Sequence, residues 1–258
     1  MLDMVTLFGL IVGLSGIVVG QMLEGGSPSA LIQGTAFMIV FGGTIGAVMV
    51  STTKEDLRMG LKLLRWAFSD GKEVDEGKIR RELVEAAQLA RRESILALEK
   101  KLNSFSNPFM QNVFRFVVDG VDAPTLKDVF ESEIELEEEN QIAGAKMWTD
   151  AGGYSPTIGI IGAVLGLIAV MQHLTDTSKL GAGIAVAFVA TIYGVASANL
   201  VFLPIGSKIK RKVKKQSELK RMILDGAISI MTGLNPYIIE QKMRSFTNED
   251  TASVEKAS

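Results

Sequence analysis

Cysteines and membrane-embedded charges are missing from this 258-residue sequence, and each absence excludes a class of site. Without cysteine the chain has no disulfide framework and no thiolate metal site. Lys and Arg are absent from residues 1–51, and Lys179 is the only one between 172 and 180. The single histidine, His173, is predicted to be a solvated turn residue. The formal net charge of −2 gives no reason to expect nucleic-acid binding.

Four long apolar runs contain no Asp, Glu, Lys, Arg or His. They cover about residues 4–23, 31–50, 156–171 and 181–204. With flanking residues, each is about long enough to cross a hydrocarbon core of roughly 30 Å at 1.5 Å of rise per helical residue. The sequence therefore predicts an all-α, polytopic protein with four transmembrane helices and a helical cytoplasmic domain.

The distribution of positive charge predicts the orientation of these helices. The loop 24–30 has no Lys or Arg, whereas 52–150 and 206–258 hold nearly all of them. By the positive-inside rule the two short loops lie outside, and both termini lie in the cytoplasm. We expect a multi-pass protein of the bacterial inner membrane, in contact with the lipid bilayer.

These patterns divide the chain into five predicted segments. They are transmembrane helices 1 and 2 (1–51), a cytoplasmic helical domain (52–153), transmembrane helices 3 and 4 (154–206), a cytoplasmic C-terminal helix (207–246) and a disordered tail (247–258).

A charged face is predicted on one amphipathic helix of the cytoplasmic domain, running from Asp75 to about Asn103. Arg92 and Glu99 are seven residues apart, and Arg91 and Glu99 are eight apart. At about 100° per residue they lie on roughly the same side of that helix. From the residues alone, a solvated face is favoured over a recognition surface.

Small polar groups replace charges along the third and fourth runs. They are Thr157, Thr191, Tyr193, Ser197 and Asn199. Ion paths through bilayers normally need an ionisable group or closely spaced oxygen ligands. If ions pass here, a partner chain must supply the carboxylate.

Two prolines frame this pair of runs. Each removes a backbone donor and is a natural place for a kink or hinge. Pro156 has an alternative explanation, because proline is tolerated in a first helical turn. Pro204 has no such alternative, since a helical pattern lies on both sides of it.

No soluble-enzyme constellation is present. The sequence has no GxxxxGK[ST] loop, no HExxH, no Ser/His/Asp set and no dinucleotide fingerprint. We therefore expect no enzyme activity, no cofactor and no metal site.

The order of elements and several short motifs resemble the MotA/PomA family, the four-span subunit of the bacterial flagellar stator. The motifs are Gly42 to Thr44, Ala90 to Glu99, Tyr154 to Leu167, Ala190 to Gly194 and Gly233 to Pro236. The resemblance extends to about Phe246.

The resemblance implies an ion-conducting stator subunit that couples ion flow to torque on the rotor. It implies a ring of five copies around two copies of a single-span partner, MotB or PomB, which carries the membrane aspartate. The rotor protein FliG is the implied target of the cytoplasmic charges. By motif, the site residues are Arg91, Arg92 and Glu99 at the rotor, Pro156 and Pro204 in coupling, and Thr191, Ala163 and Tyr193 along the ion path.

Two departures from the family pattern bear on the ion and on the rotor charges. Sodium-driven members have a threonine at the position of Ala163, so one hydroxyl of their proposed sodium site is missing. A desolvated sodium ion needs several oxygens, whereas a proton needs only the carboxylate and a water path. The sequence therefore favours proton coupling over sodium coupling. Lys100 stands where some relatives have an acid.

Two other functions remain open from the sequence. One is an energiser of the ExbB/TolQ type, although those proteins have three spans, with the large cytoplasmic insertion after the first. The other is a passive membrane scaffold whose acidic run, 131–139, and basic run, 208–215, recruit partners.

Overall fold

The computed structural model describes residues 3–69, 75–175, 177–244 and 246. Its elements are all helical, which confirms the predicted fold class. The predicted tail, 247–258, lies outside the described residues, and the division into five membrane and cytoplasmic segments stays a prediction.

The helices follow one another with short connections. They are α1 (Met4–Leu23), α2 (Gly34–Phe37, continued through Gly43–Ser51), α3 (Lys54–Ala67), α4 (Glu76–Arg92), α5 (Pro108–Val118), α6 (Ala123–Gln172), α7 (Thr177–Ser197), α8 (Leu203–Met231) and α9 (Pro236–Arg244). Short 3₁₀ segments lie at Pro28–Leu31 and Ile95–Ser104. Two wide π turns, Met38–Gly42 within α2 and Ala198–Phe202 between α7 and α8, were not predicted.

Among the described residues, four helical stretches are long and apolar enough to cross a membrane, as the sequence predicted. They are Met4–Leu23, Pro28–Ser51, Ala123–Gln172 and Leu180–Met231. The first of them, α1, has no buried residue within the single chain. Since water is a poor solvent for such a surface, it faces lipid or other protein chains.

The chain folds into two compact units. Unit 1 comprises Met1–Gly71 with Asn140–Lys212, and unit 2 comprises Lys72–Glu139 with Val213–Ser258. In unit 1, α3 begins at the N-cap Thr53, whose side chain accepts a hydrogen bond from the Asp56 N–H.

Unit 2 has an apolar core built from α4, α5, α9 and parts of α6 and α8. Its largest fully buried side chains include Phe114, Phe130, Leu126, Leu83 and Ile223. The ring of Phe130 meets the rings of Phe109 and Phe116 edge to face, at centroid distances of 5.5 and 5.2 Å. The core accounts for the amphipathic pattern of these helices.

A polar clasp in unit 1 holds the beginning of α1. Asp3 caps this helix by accepting from the Thr6 N–H at 3.1 Å. The Lys208 ammonium bridges the Asp3 carboxylate and the Thr6 hydroxyl. One turn further along α8, Lys212 Nζ donates to the backbone oxygens of Trp66 and Ser69 at 2.7 and 2.6 Å. Part of the basic run is therefore used inside the protein.

Replacing Lys208 by methionine is expected to loosen α1. The Asp3 side chain is only 12% exposed, and an ion pair removed from one side leaves the other charge unsatisfied. We expect the variant to lose about 2 kcal/mol of unfolding free energy, as judged from thermal unfolding of the detergent-purified protein. Lys214→Met is the control, because Lys214 is 73% exposed and its ion pair is with Glu218, one turn away on the same helix. Equal effects of the two variants would contradict the role of the clasp.

Candidate functional site

Glycines bring α6 and α7 into backbone contact within unit 1. A Cβ atom added at Gly194 would lie 2.6 Å from the Ser155 oxygen, and one added at Gly159 would lie 2.8 Å from the Ala190 oxygen. Distances this short leave no room for a side chain. Small residues permit such close packing where lipid is as apolar as leucine.

A buried hydroxyl pair lies within this contact. The hydroxyls of Ser155 and Ser197 are 2.7 Å apart, and Ser197 also donates to the Gly194 oxygen at 3.3 Å. Ser155 is fully buried. The sequence singled out Ser197 but missed Ser155, whose only signal is its place before Pro156 in a weakly polar stretch. The pair gives α6 and α7 a polar link that fixes their register.

Ala163 and Thr191 lie beside the same helix contact. Ala163 directly follows Gly162, and Thr191 directly follows Ala190. Gly162 and Ala190 belong to the contact, because a Cβ added at Gly162 would lie 2.7 Å from the Cβ of Ala190. The Thr191 hydroxyl donates to the Ala187 oxygen at 3.1 Å, one turn back on its own helix. A hydroxyl that donates in this way still offers its lone pairs as an acceptor. Their assignment to the ion path stays a prediction.

Tyr193 ties α7 to the segment that leads into α2. Its hydroxyl donates to the Leu31 oxygen at 2.6 Å and accepts from the Gln33 N–H at 3.3 Å. Its ring packs against Phe37 and Phe41, with centroids 6.5 and 6.4 Å away. The Tyr193 hydroxyl thus bonds to two backbone groups of the segment before α2. These contacts do not test its predicted place along the ion path.

Thr157 and Asn199 bond to their own helices. The Thr157 hydroxyl donates to the Tyr154 oxygen at 2.7 Å, and the Asn199 amide donates to the Val195 oxygen at 2.9 Å. Both side chains are exposed within the single chain. Thr157, Thr191 and Asn199 thus bond locally, whereas Ser197 bonds to Ser155 and Tyr193 to the segment before α2, so the predicted polar groups do not form one hydrogen-bonded row in the part of the chain that the structure describes.

The two prolines occupy different backbone environments. Pro156 lies in the interior of α6, so the first-turn alternative is wrong. Pro204 is the second residue of α8 and lies one residue beyond the π turn Ala198–Phe202, where the Leu203 N–H donates to the Ala198 oxygen five residues back. Proline cannot donate to the residue four positions back and its ring collides with that carbonyl, so the wider turn gives it room.

The Pro204 ring also lines a cavity of about 260 Å³ in unit 1. The lining includes Thr6, Asn199 and Lys208 as polar groups and Leu200 as an apolar one. The π turn and the cavity thus lie beside each other near Pro204, and a role of this residue in coupling stays a prediction.

The predicted charged helix is shorter than expected. α4 ends at Arg92, Ser94 is in an extended conformation, and Glu99 belongs to the 3₁₀ segment Ile95–Ser104. The prediction of one continuous helix to Asn103 is wrong, and so is the argument that its periodicity aligns Arg91 with Glu99. Arg91, Arg92 and Glu99 are nevertheless all exposed, in one short stretch of unit 2.

Burial and charge pairing explain why the chain turns at this point. Leu98 is completely buried, and Lys101 Nζ lies 2.8 Å from the Glu85 carboxylate of α4. Both interactions draw the 3₁₀ segment back against α4. Glu85 and Lys101 also line a cavity of about 360 Å³ together with Glu82 and Phe105.

The Glu85–Lys101 pair predicts a pH dependence of unit 2. The Lys101 hydrogen bond and charge lower the pKa of Glu85 below its usual 4.5. The pair therefore stabilises the fold above the ordinary carboxyl pKa, and this stability is lost as pH falls through the lowered value. Because Glu85 is 60% exposed, we expect Glu85→Gln to cost at most about 1 kcal/mol near neutral pH.

Denaturant unfolding at neutral and at acidic pH measures this difference. The difference in unfolding free energy between Glu85→Gln and the unmodified protein should vanish at acidic pH. Glu99→Gln is the control, because Glu99 forms no ion pair within the part of the chain that the structure describes. A difference in unfolding free energy that persists at acidic pH would contradict the stabilising role of the Glu85–Lys101 pair.

No metal site is formed by the residues described. Among residues 3–69, 75–175, 177–244 and 246, no three His, Asp or Glu side chains converge. The chemistry available at the α6–α7 contact is therefore that of hydroxyls and backbone groups.

The fold defines a helical membrane protein, with four candidate spans among the described residues. Residues 101–222 match the MotA/TolQ/ExbB proton channel family, and residues 7–92 match the motility protein A N-terminal model. The chain is 36% identical over 242 residues to motility protein A of Bacillus subtilis (strain 168), covering 94% of this chain and 90% of that protein.

Two solved structures have the same fold. The C. jejuni MotAB structure has a TM-score of 0.90 at 32% identity, with 96% of this chain and 97% of that chain covered. The flagellar MotAB stator complex from Bacillus subtilis has a TM-score of 0.89 at 35% identity, with 99% and 100% covered. The chain belongs to the MotA/TolQ/ExbB proton channel family, as a member of its motility protein A group. The resemblance drawn from the motifs is confirmed.

Proposed function

We propose that this chain is a stator subunit of the bacterial flagellar motor that couples proton flow, through a complex with a MotB-type partner, to torque on the rotor. The observation that carries the proposal is the charge-free contact of α6 and α7, framed by Pro156 and Pro204. Such a pair can flex at defined points without itself holding a fixed charge in the membrane. We expect no catalytic step in this function.

The partner supplies the ionisable group in this proposal. The four apolar runs contain no carboxylate, and the hydroxyls of Thr157, Thr191, Tyr193, Ser155 and Ser197 are bonded to backbone oxygens or to each other. A single-span partner with a membrane aspartate would complete the path beside Thr191 and Ala163. The largely exposed α1 supports assembly into an oligomer or contact with lipid, and we propose five copies around two partner chains.

Protons fit this path better than sodium ions. A sodium ion stripped of water needs several oxygen ligands, and Ala163 offers a methyl group where sodium-driven relatives have a hydroxyl. Thr191 supplies one hydroxyl near the same helix contact. A carboxylate with water is sufficient to relay protons.

We place the protein in the inner membrane with both termini in the cytoplasm, in accord with the distribution of Lys and Arg. The exposed charges Arg91, Arg92 and Glu99 then face the cytoplasm, where FliG can meet them. Charged side chains at the edge of a contact steer association and select partners.

Swimming speed tests the coupled ion. In cells that carry only this stator pair, we expect speed to be independent of external sodium at fixed pH and to collapse when a protonophore is added. Speed that follows sodium would keep the stator function but overturn the ion. Absence of motility under every condition, with both chains present in the membrane, would contradict the proposal as a whole.

An ExbB/TolQ-type energiser is the second candidate, because the matched family model includes those proteins. The match of residues 7–92 to the motility protein A N-terminal model favours the stator. Two spans precede the predicted cytoplasmic region here, in contrast to the single one of the energisers. A passive scaffold is distinguished by the proline variants described in the Discussion.

A further inference from the structure

The C-terminal end of α3 is joined to α8 by the side chain of Lys212. Its ammonium nitrogen lies 2.7 Å from the Trp66 oxygen, 2.6 Å from the Ser69 oxygen and 5.7 Å from the centre of the Trp66 ring. Backbone oxygens at this end of a helix carry the negative pole of the helix dipole, and an aromatic face attracts a cation. Three separate attractions therefore hold one side chain, and we call this contact the lysine tie.

The beginning of the chain meets the same end of α3. The Asp3 N–H donates to the Phe68 oxygen at 2.9 Å, and the Asp3 carboxylate pairs with Lys208. Lys208 precedes Lys212 by four residues, so the two lysines lie on one face of α8. The start of α1, the end of α3 and the first turns of α8 thus meet at one place in unit 1.

α8 is also packed tightly on α6 in this part of unit 1. A Cβ atom added at Gly206 would lie 3.1 Å from the Thr149 nitrogen and 3.2 Å from the Ala145 oxygen, and one added at Gly152 would lie 2.6 Å from the Leu203 side chain. We call residues 140–153 of α6 and 203–212 of α8 the stalk. Because its two backbones are in contact, the stalk resists internal bending.

The lysine tie and Pro204 belong to one continuous helix. α8 runs without a break from Leu203 to Met231, so about 12 Å of regular helix separates Pro204 from Lys212 at 1.5 Å per residue. A rotation of α8 at Pro204 therefore displaces the Lys212 ammonium. The next helix after α3 along the chain is α4, which ends in the proposed rotor charges Arg91 and Arg92.

We propose that Lys212 is a positioning residue of torque transmission, which makes the end of α3 move together with the stalk when α8 moves at Pro204. This inference rests on the proposed function and adds the link that carries force out of α8. Without the ammonium, proton flow still moves α8, but α3 no longer follows it under load. The lysine tie thus acts on force and leaves the ion path unchanged.

Torque per stator unit tests the tie in cells that carry the full pair. It is measured from the stepwise rise in speed as units join one motor under a heavy load, and rotation is also recorded under a light load. Lys212→Met should lower the torque of each unit at least about fivefold, with a light-load speed close to normal and unchanged co-purification with the partner. Lys212→Arg, which keeps the charge and the N–H donors, should retain most of the torque.

Lys214→Met is the matched control for the change of charge. Lys214 lies on the same helix, is 73% exposed and pairs with Glu218 one turn away, so its loss should leave both torque and speed unchanged. A variant that only reduces stability would give fewer units with normal torque each. The torque of a single unit therefore separates a role in transmission from a role in folding.

A covalent replacement of the tie tests the same point without the ammonium. The chain has no cysteine, so Ser69→Cys combined with Lys212→Cys creates one addressable pair of thiols in it. We expect low torque per unit before treatment and a recovery of torque after a short, membrane-permeable bismaleimide joins the two thiols. Each single cysteine variant with the same reagent is the control and should show no recovery.

Several results would overturn the inference and leave the stator function intact. They are normal torque per unit in Lys212→Met, an equal fractional loss under light and heavy load, and a cross-link that stops rotation. If Lys212→Met does not assemble, Lys212→Gln keeps amide donors without the charge, and normal torque per assembled unit in that variant would assign Lys212 to folding alone. Absence of rotation with the unmodified pair in the membrane would instead contradict the proposed function.

Discussion

Gly194→Ala is expected to force α6 and α7 apart and to lower the unfolding free energy of the protein by about 1–3 kcal/mol. The added methyl group would lie 2.6 Å from the Ser155 oxygen, 3.0 Å from the Gly159 Cα and 3.2 Å from the Pro156 Cα. All three atoms belong to backbone, so no side chain can rotate away. The Ser155–Ser197 hydrogen bond would lengthen with the same movement.

Two measurements check this prediction. The melting temperature of the detergent-purified complex should fall, and motility should be lost. Gly181→Ala in the same helix α7 is the control, because a Cβ there meets no atom within 4 Å. Alanine favours a helix over glycine by up to about 1 kcal/mol, so this control should be neutral or slightly stabilising. A Gly194→Ala protein as stable as the Gly181→Ala protein would show that the two helices are not held at this distance.

Pro204→Leu is expected to abolish most motility while leaving assembly unchanged. Leucine restores a backbone donor and removes the ring, so the helix can close regularly where the π turn Ala198–Phe202 now stands. The free energy that couples two sites is typically about 1–3 kcal/mol, which corresponds to a factor of roughly five to 150. We expect the loss of this coupling to lower swimming speed by a factor in that range. The expected phenotype is a stator that forms but turns poorly.

Swimming speed, membrane level and co-purification with the partner are measured together. Pro108→Ala is the control, since Pro108 occupies the first turn of α5, where its missing N–H has no helical acceptor. Normal swimming in Pro204→Leu would support the passive scaffold and remove Pro204 from coupling. A variant that fails to assemble would assign the residue to folding, and Pro156→Ala then tests coupling from the other helix.

Much of the fold follows from hydropathy. The four spans could be recognised because about 20 apolar residues in a row have few other stable environments. Pro204 could be identified as a helix irregularity because proline carries its own geometric constraint. The family could be recognised because its motifs are spread along nearly the whole chain.

Other features depend on contacts that no local pattern records. Helical periodicity continued past Arg92, but the chain turns at Ser94 because Leu98 finds the core of unit 2 and Lys101 finds Glu85. Both π turns escaped prediction since one extra residue in a helical turn leaves hydrophobicity unchanged. Ser155 became significant only when Ser197, 42 residues later, was found beside it.

The sequence by itself thus determined the number of spans, the class of protein and the absence of membrane charge. These properties depend on composition over long segments, because the free energy of transfer from water into lipid is a sum over the residues of each segment. Tertiary structure alone decided which glycines touch, where Lys208 binds and where Leu98 is buried. These properties depend on distances between residues far apart in the chain, which are fixed only when the helices pack.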